Sequence, residues 1–462
     1  MKTSIYIFII ALAIVFPANA QDKQMPPEGG EPKGFTLPEK EVVTYDNGLK
    51  LVLVPYGSIP KATINFTLKT GNINEAEDEV WLADLLADLM EEGTTADYSV
   101  KDSLAGMGGN INIGVGTHTT SLNTSVLSEF APQAINVLSD ILVNPKLPQS
   151  ELDRLKKDMN RNITVSLSRP GAQARKDFFA EIYPNHPYGR LYPTTEMVDS
   201  YTLEDVKNFY ENNFGAQRTT VYVVGQFDSE AVKETVKNQL SSWKKGPEAN
   251  YPLAQPQSDG MVKIIDRPGA PQSTIYYGLP VPDPSSEDYI PMDVMNSLLG
   301  GSFGSRITSN IREDKGYTYS PGSALYANYK TGLWYESADV TTEFTGASLD
   351  EIKKEIVRLQ NEAPGKEELK GIQNYESGIY VLQNSTPGGI ISQLNFLDVH
   401  NLPESFLVNK VKNINAVTPE QVQEMAKKYI QPENMTLIVV RDKEKIKDQV
   451  TETIDKPVEN KE

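Results

Sequence analysis

Residues 201–224, YTLEDVKNFYENNFGAQRTTVYVV, return 216 positions later as VTPEQVQEMAKKYIQPENMTLIVV, residues 417–440. The two segments align without a gap. Thr202/Thr418, Glu204/Glu420, Val206/Val422, Thr220/Thr436, Val223/Val439 and Val224/Val440 are identical. The chemistry repeats as well. Each segment starts with a threonine suited to cap a helix, with an acid two residues on near the positive end of the helix dipole. Each then reads as an amphipathic helix, a short loop and a β-branched strand. A chain that repeats helix start, loop and strand in register folds as two homologous halves. Alternating strands such as LKLVLVPY and TINFTLKTG, mixed with longer amphipathic helices, make both halves α+β, an antiparallel sheet packed with helices.

The boundaries follow from composition. Residues 39–243 form the first half and 261–445 the second. The Pro-rich stretch 244–260 (KKGPEANYPLAQPQSDG) links them as a hinge. Residues 21–38 are polar and rich in Pro and Gly, a flexible lead-in, and 446–462 are a charged tail. Residues 1–20 carry Lys2, an apolar run from Ile5 to Phe16 and Ala18-Asn19-Ala20, the pattern of a cleaved signal peptide. The alternative, an uncleaved anchor, has an apolar run too short to span comfortably. The expected product is secreted, periplasmic and without a membrane span. The absence of cysteine excludes a disulfide framework.

A net charge of −18 argues against nucleic acid, because binding there rests on Lys and Arg neutralising phosphates. Removing residues 1–20 takes one lysine and no acid, leaving −19. Acidic walls around a chamber would favour basic peptides.

Three further stretches resemble the pitrilysin/insulinase-type metallopeptidases, the inverzincins. TYDNGLKLVLVPYGSIPKATINFTLKTGNINE is similar to that family's opening strands, NHPYGR (185–190) to its His-Pro-Tyr-Gly turn, and LLGGSFGSRITSNIREDKGYTYS (298–320) to the signature of its second half. The resemblance covers nearly the whole mature chain. It implies two homologous domains forming a clamshell around an unfolded peptide.

The family's zinc motif, His-x-x-Glu-His followed by Gly-Thr, falls on DLLAD in WLADLLADLMEEGT (81–94), a helix closed by Gly93. On that alignment Asp84 and Asp88 replace the two histidine ligands, Ala87 replaces the general-base glutamate, and Asn162 replaces the third ligand. Aspartate can bind zinc, but catalytic zinc sites usually hold at least one histidine, and asparagine is a poor ligand. The set would suit a hard cation such as calcium or magnesium better, with further oxygens. A methyl group at position 87 cannot take a proton from metal-bound water. Asp84 and Asp88 otherwise read as a hydrated face shared with Trp81, Glu91 and Glu92. No metal site is therefore expected in this chain. His118, in a polar alternating strand, His186, in the HPYG turn, and His400, at a helix end, show no ligand spacing.

The second-half signature is intact. REDKGYTY matches Arg-x-x-x-Gly-x-x-Tyr through Arg312, Gly316 and Tyr319. By resemblance, Arg312 and Tyr319 grip substrate carbonyls and stabilise a developing oxyanion. The bland alternative pairs Arg312 with Glu313 or Asp314 on a surface and buries Tyr319. Loss of one motif beside retention of the other implies a non-catalytic subunit that binds unfolded peptide and lends Arg312 and Tyr319 to a zinc-bearing homologous partner. Two rivals remain: an envelope scaffold with no part in proteolysis, and an active endopeptidase with atypical ligands.

Overall fold

A computed structural model of the chain describes residues 36–446 and 449. The expected signal peptide, almost all of the expected lead-in and nearly all of the tail lie outside the described residues. The first half is built on a six-stranded sheet: β1 (Glu41–Thr44), β2 (Lys50–Pro55), β3 (Lys61–Leu68), β4 (Asn112–Val115), β5 (Thr120–Leu127) and β6 (Thr219–Gly225), in the order β1-β2-β6-β3-β5-β4. The second has five strands: β7 (Val262–Asp266), β8 (Gln272–Val281), β9 (Gly322–Asn328), β10 (Thr331–Thr341) and β11 (Thr436–Arg441), in the order β7-β11-β8-β10-β9. Strand for strand these orders match, apart from the extra edge strand β1. Each sheet has one parallel pair, β2 with β6 and β7 with β11, and is otherwise antiparallel.

The repeat seen in the sequence is a physical duplication. Thr202 and Thr418 each close a capping box, with Asp205 and Gln421 returning a bond to the threonine N–H. The strands that follow, β6 and β11, are buried along their whole length. A strand buried on both faces needs a cover on each side.

The second cover comes from the other half. Helix Pro170–Ile182 belongs to the first half but packs Phe178 and Phe179 with Leu333, Ile438 and Val440 of the second sheet. Helix Pro387–His400 belongs to the second half but packs Ile390, Ile391 and Leu394 with Val52, Val54, Tyr222 and Val224 of the first. These helices sit at equivalent places in the two repeats, so the exchange is reciprocal. Both open with proline at the first helical position, where the missing N–H costs nothing.

The connection between the halves is not a free hinge. Arg218 donates to the carbonyls of Pro247 and Glu248, Asn74 to that of Asn250, and Gln257 N–H to that of Ile182. Residues 244–260 have no regular structure, yet their backbone is tied down along its length. Among the described residues no helix is long and apolar enough to cross a membrane.

Candidate functional site

Helix Leu82–Glu91 carries the first motif and is buried through Leu82, Ala83, Leu85, Leu86, Ala87, Leu89 and Met90. Trp81 caps it in a left-handed conformation, φ 66°, and Gly93 closes it at φ 118°. Glu75 holds the start. Its carboxylate accepts the N–H groups of Trp81 and Ala83 at 3.1 and 3.0 Å and the Asn72 amide at 3.1 Å. The Asn72 Nδ2 also donates to Asp84 at 2.8 Å. Burial pushes Glu75 up to about 8, against the pull of these donors, and Asp84 up to about 6.

The four motif positions do not converge on a donor set. Asp84 is half-buried and engaged by Asn72, Asp88 is exposed, Ala87 is buried with no donor, and Asn162 is exposed on helix Gln149–Leu167. Among the described residues no group of three or more His, Cys, Asp or Glu is placed to hold a metal ion. This donor set does not fit a catalytic zinc, and Ala87 supplies no base beside it. Asp88 lies on the hydrated face together with half-buried Glu91 and Glu92. Arg154, on the neighbouring helix, pairs with Glu92 at 2.6 Å.

The three histidines lie far apart in sequence and close in space. His118 is not in a strand: it occupies the turn between β4 and β5, where it meets both halves. Its ring lies 5.6 Å from Tyr188 and 6.3 Å from His400, and the His186 ring lies tilted against Tyr188 at 4.3 Å. The Tyr329 N–H reaches both the Tyr188 hydroxyl, at 3.1 Å, and His118 Nε2, at 3.4 Å, so Nε2 is an acceptor and the Tyr188 hydroxyl donates to it at 2.8 Å. His118 therefore carries its proton on Nδ1. His186 accepts the Tyr188 N–H on Nδ1 and donates from Nε2 to the Pro252 carbonyl. Burial holds His118 down to about 3 and His400 down to about 4, so both are neutral. The trio is an interface between halves.

The second motif is built differently. The Gly-rich segment runs as a π-helical turn, Ser297–Gly301, and Arg312 lies on a second one, Ser309–Asp314. Such turns are rare and recur at functional sites. A Cβ on Gly300 would meet the Glu336 carboxyl and the Ser323 hydroxyl at 2.6 Å, so only glycine lets the turn lie on β10. Gly316, at φ 66°, ends the Arg312 segment, and the Tyr317 N–H returns to the Ile311 carbonyl.

Arg312 and Tyr319 come together at the surface. The guanidinium lies over the Tyr319 ring at 4.7 Å and over Phe303 at 4.5 Å. Phe303 is 69% exposed and Tyr319 79%, whereas Arg312 is mostly covered between them. Arg312 also pairs with Glu313 at 3.1 Å. The arginine is thus paired as the bland alternative has it, but Tyr319 is exposed rather than core. Large aromatics left in water around a held arginine make a ready contact surface.

Comparison with known proteins places this geometry. Residues 51–194 match the family model described as "Insulinase (Peptidase family M16)" and residues 200–375 that described as "Peptidase M16 inactive domain". The chain belongs to the insulinase family, M16. It is 22% identical over 400 residues to the "Non-peptidase homolog YmxG" of Helicobacter pylori, covering 84% of this chain and 91% of that protein. It is 23% identical over 341 residues to an "Uncharacterized zinc protease" of Rickettsia felis, covering 73% and 82%. The solved structure of a protease from Helicobacter pylori superimposes with a TM-score of 0.81 at 19% identity, over 88% of this M16 chain and 100% of that one. The fold is the two-domain M16 fold.

Two residues of the site escaped the sequence reading. Glu75 is one of four acids in positions 75–79, and nothing in that run marks which is buried. Phe303 stands one residue before Gly304 of LGGSFGSR, and an exposed aromatic beside a Gly-rich turn was the available signal.

Proposed function

We propose that this M16 chain is a non-catalytic, peptide-holding subunit that presents Arg312 and Tyr319 to the site of a zinc-bearing homologous partner. One observation carries the reading: the arginine–tyrosine pair is intact and stacked, with the tyrosine exposed, while the zinc motif lacks its histidines and base. An arginine held flat offers a fixed fork of donors to a carbonyl oxygen gaining charge, and a neighbouring phenol can follow the same oxygen. Exposure of Tyr319 beside the held arginine fits a second chain bringing the reacting atoms, because no metal-holding group lies among the described residues. The chain acts outside the cytoplasm, as its N-terminal pattern implies.

The test is reconstitution with a homologue that keeps His-x-x-Glu-His. The pair should cleave unfolded peptides, the isolated chain should not, and Arg312→Ala should lower the pair's kcat by about a hundredfold, the typical loss on removing one oxyanion donor. Unchanged activity in Arg312→Ala would leave the scaffold reading. Chelator-sensitive cleavage by the isolated chain would leave the atypical peptidase.

A further inference from the structure

Two clefts flank the exchanged helix Pro170–Ile182 where it lies on the second sheet. One, of about 230 Å³, is walled by the β4–β5 turn, the His-Pro-Tyr-Gly turn and β9. The other, of about 680 Å³, opens at the N-terminal end of the helix against β8 and β10. Arg175 lines both, and Trp81 of the first packs on Tyr192 of the second at 5.4 Å, so the clefts adjoin.

Their charge is opposite to that of the chain. Arg190 adds a second cation to the first cleft, and Arg169 and Arg267 add two to the second. Asp339 is the single acid among the lining residues, and the Thr274 hydroxyl already donates to it. Among the described residues none of these four arginines has an ion pair, whereas nearby Lys263 is held by both Asp177 and Glu181. Arg175 rests on the Phe179 ring at 4.8 Å, and Arg190 donates only to the Glu75 carbonyl, at 3.1 Å. At the first cleft Asn328 is wholly buried on β9, against the Tyr183 side chain. Unpaired guanidinium forks are groups prepared for carboxylates.

We propose that the joined clefts bind a short acidic segment of a peptide chain, with Arg175 at its centre and Arg190 and Arg267 on either side. This rests on the peptide-holding reading and names its substrate class, reversing the expectation of basic peptides drawn from net charge. Size argues for a peptide: the space far exceeds one carboxylate or phosphate, and Trp81, Tyr192 and Tyr276 give apolar wall between the cations. A long polyanion is disfavoured, because beyond the clefts it would meet the field of a chain with net charge −18.

The experiment uses the mature chain without a partner and fluorescence anisotropy of a labelled octapeptide with alternating glutamates. The glutamate peptide should bind at least about tenfold tighter than its glutamine counterpart at low salt, with an affinity that falls as salt rises. Arg175→Met with Arg267→Met should cost at least about tenfold, as should the more exposed pair Arg169→Met with Arg267→Met if the first fails to fold. Lys101→Met with Lys427→Met, the same charge change elsewhere, should leave affinity unaltered. Equal binding of the glutamine or a lysine peptide, equal loss in the control pair, or equal competition by a short polyphosphate would each overturn the proposal. Turnover and partner do not enter this measurement, so its failure and that of the Arg312 reading are separable.

Discussion

The guanidinium of Arg312 stands 4.5 Å from the centre of the Phe303 ring, on a surface where the ring itself is largely in water. A cation–π contact at an exposed site is worth about 0.5–1 kcal/mol. On the proposed role of Arg312, Phe303→Ala should therefore lower the activity of the reconstituted pair only about two- to fivefold, through loosened positioning. Far-ultraviolet circular dichroism and Tm should be unchanged. A loss as large as that of Arg312→Ala would mean that Phe303 itself contacts substrate.

Asp84 gives a stability test. Burial raises its folded pKa to about 6 from about 3.8, so the unfolded chain sheds this proton first as pH rises. Stability from this group is lost between about pH 4 and pH 6 and stays lost above. Asp84→Asn keeps an oxygen for the Asn72 amide and should stabilise by about 1 kcal/mol at pH 7.5 and by nothing at pH 4. Urea unfolding at the two pH values measures the difference.

His118 and His400 titrate the interface in the opposite sense. Their folded pKa values lie near 3 and 4, below the ordinary 6.5, so acid favours the unfolded state between about pH 6.5 and pH 4. Asp283 eases charging of His400, and Lys330 opposes it. Tm should fall on acidification through that window. His400→Phe, which keeps an aromatic ring against Phe396, should make the fall shallower. An unchanged slope would remove His400 from the account.

Zinc should not be a structural component of this chain. An ion bound tightly to the native state raises Tm by mass action, so its removal lowers it. Added chelator should leave Tm within about 1 °C, and purified protein should carry far less than one zinc per chain by elemental analysis.

Phe179 bears on the helix exchange. It is 2% exposed and packs on Tyr183, Tyr326 and Tyr335, the last two from the second sheet. Phe179→Ala should cost about 3–5 kcal/mol in chemical unfolding, as for a large aromatic removed from a core. If it instead cost under about 1 kcal/mol, the contact between halves would be loose.

Much of this architecture is legible in the sequence because it is local. Thr202 and Thr418 announce their helices through capping chemistry, and the valines of β6 and β11 announce buried strands. The helix that carries Ala87 and its closing Gly93 is equally local. What the sequence hides is partnership at a distance. The apolar stripe of helix Pro170–Ile182 reveals that it packs, but not that its sheet is the other half's. The positions of His118, His186 and His400 give no hint that one tyrosine, Tyr188, touches two of their rings. Glu75 is hidden by its acidic neighbours until the chain folds around one of them.

Because the loan of helices runs both ways, the two sheets cannot swing apart like jaws. Any gap wide enough to admit a bulky guest between them would strip a helix from each at once, exposing Phe178 and Phe179 on one side and Ile390 and Leu394 on the other. Such a molecule behaves as one stiff body, in which the two sheets move together and the clefts beside the exchanged helix keep their shape.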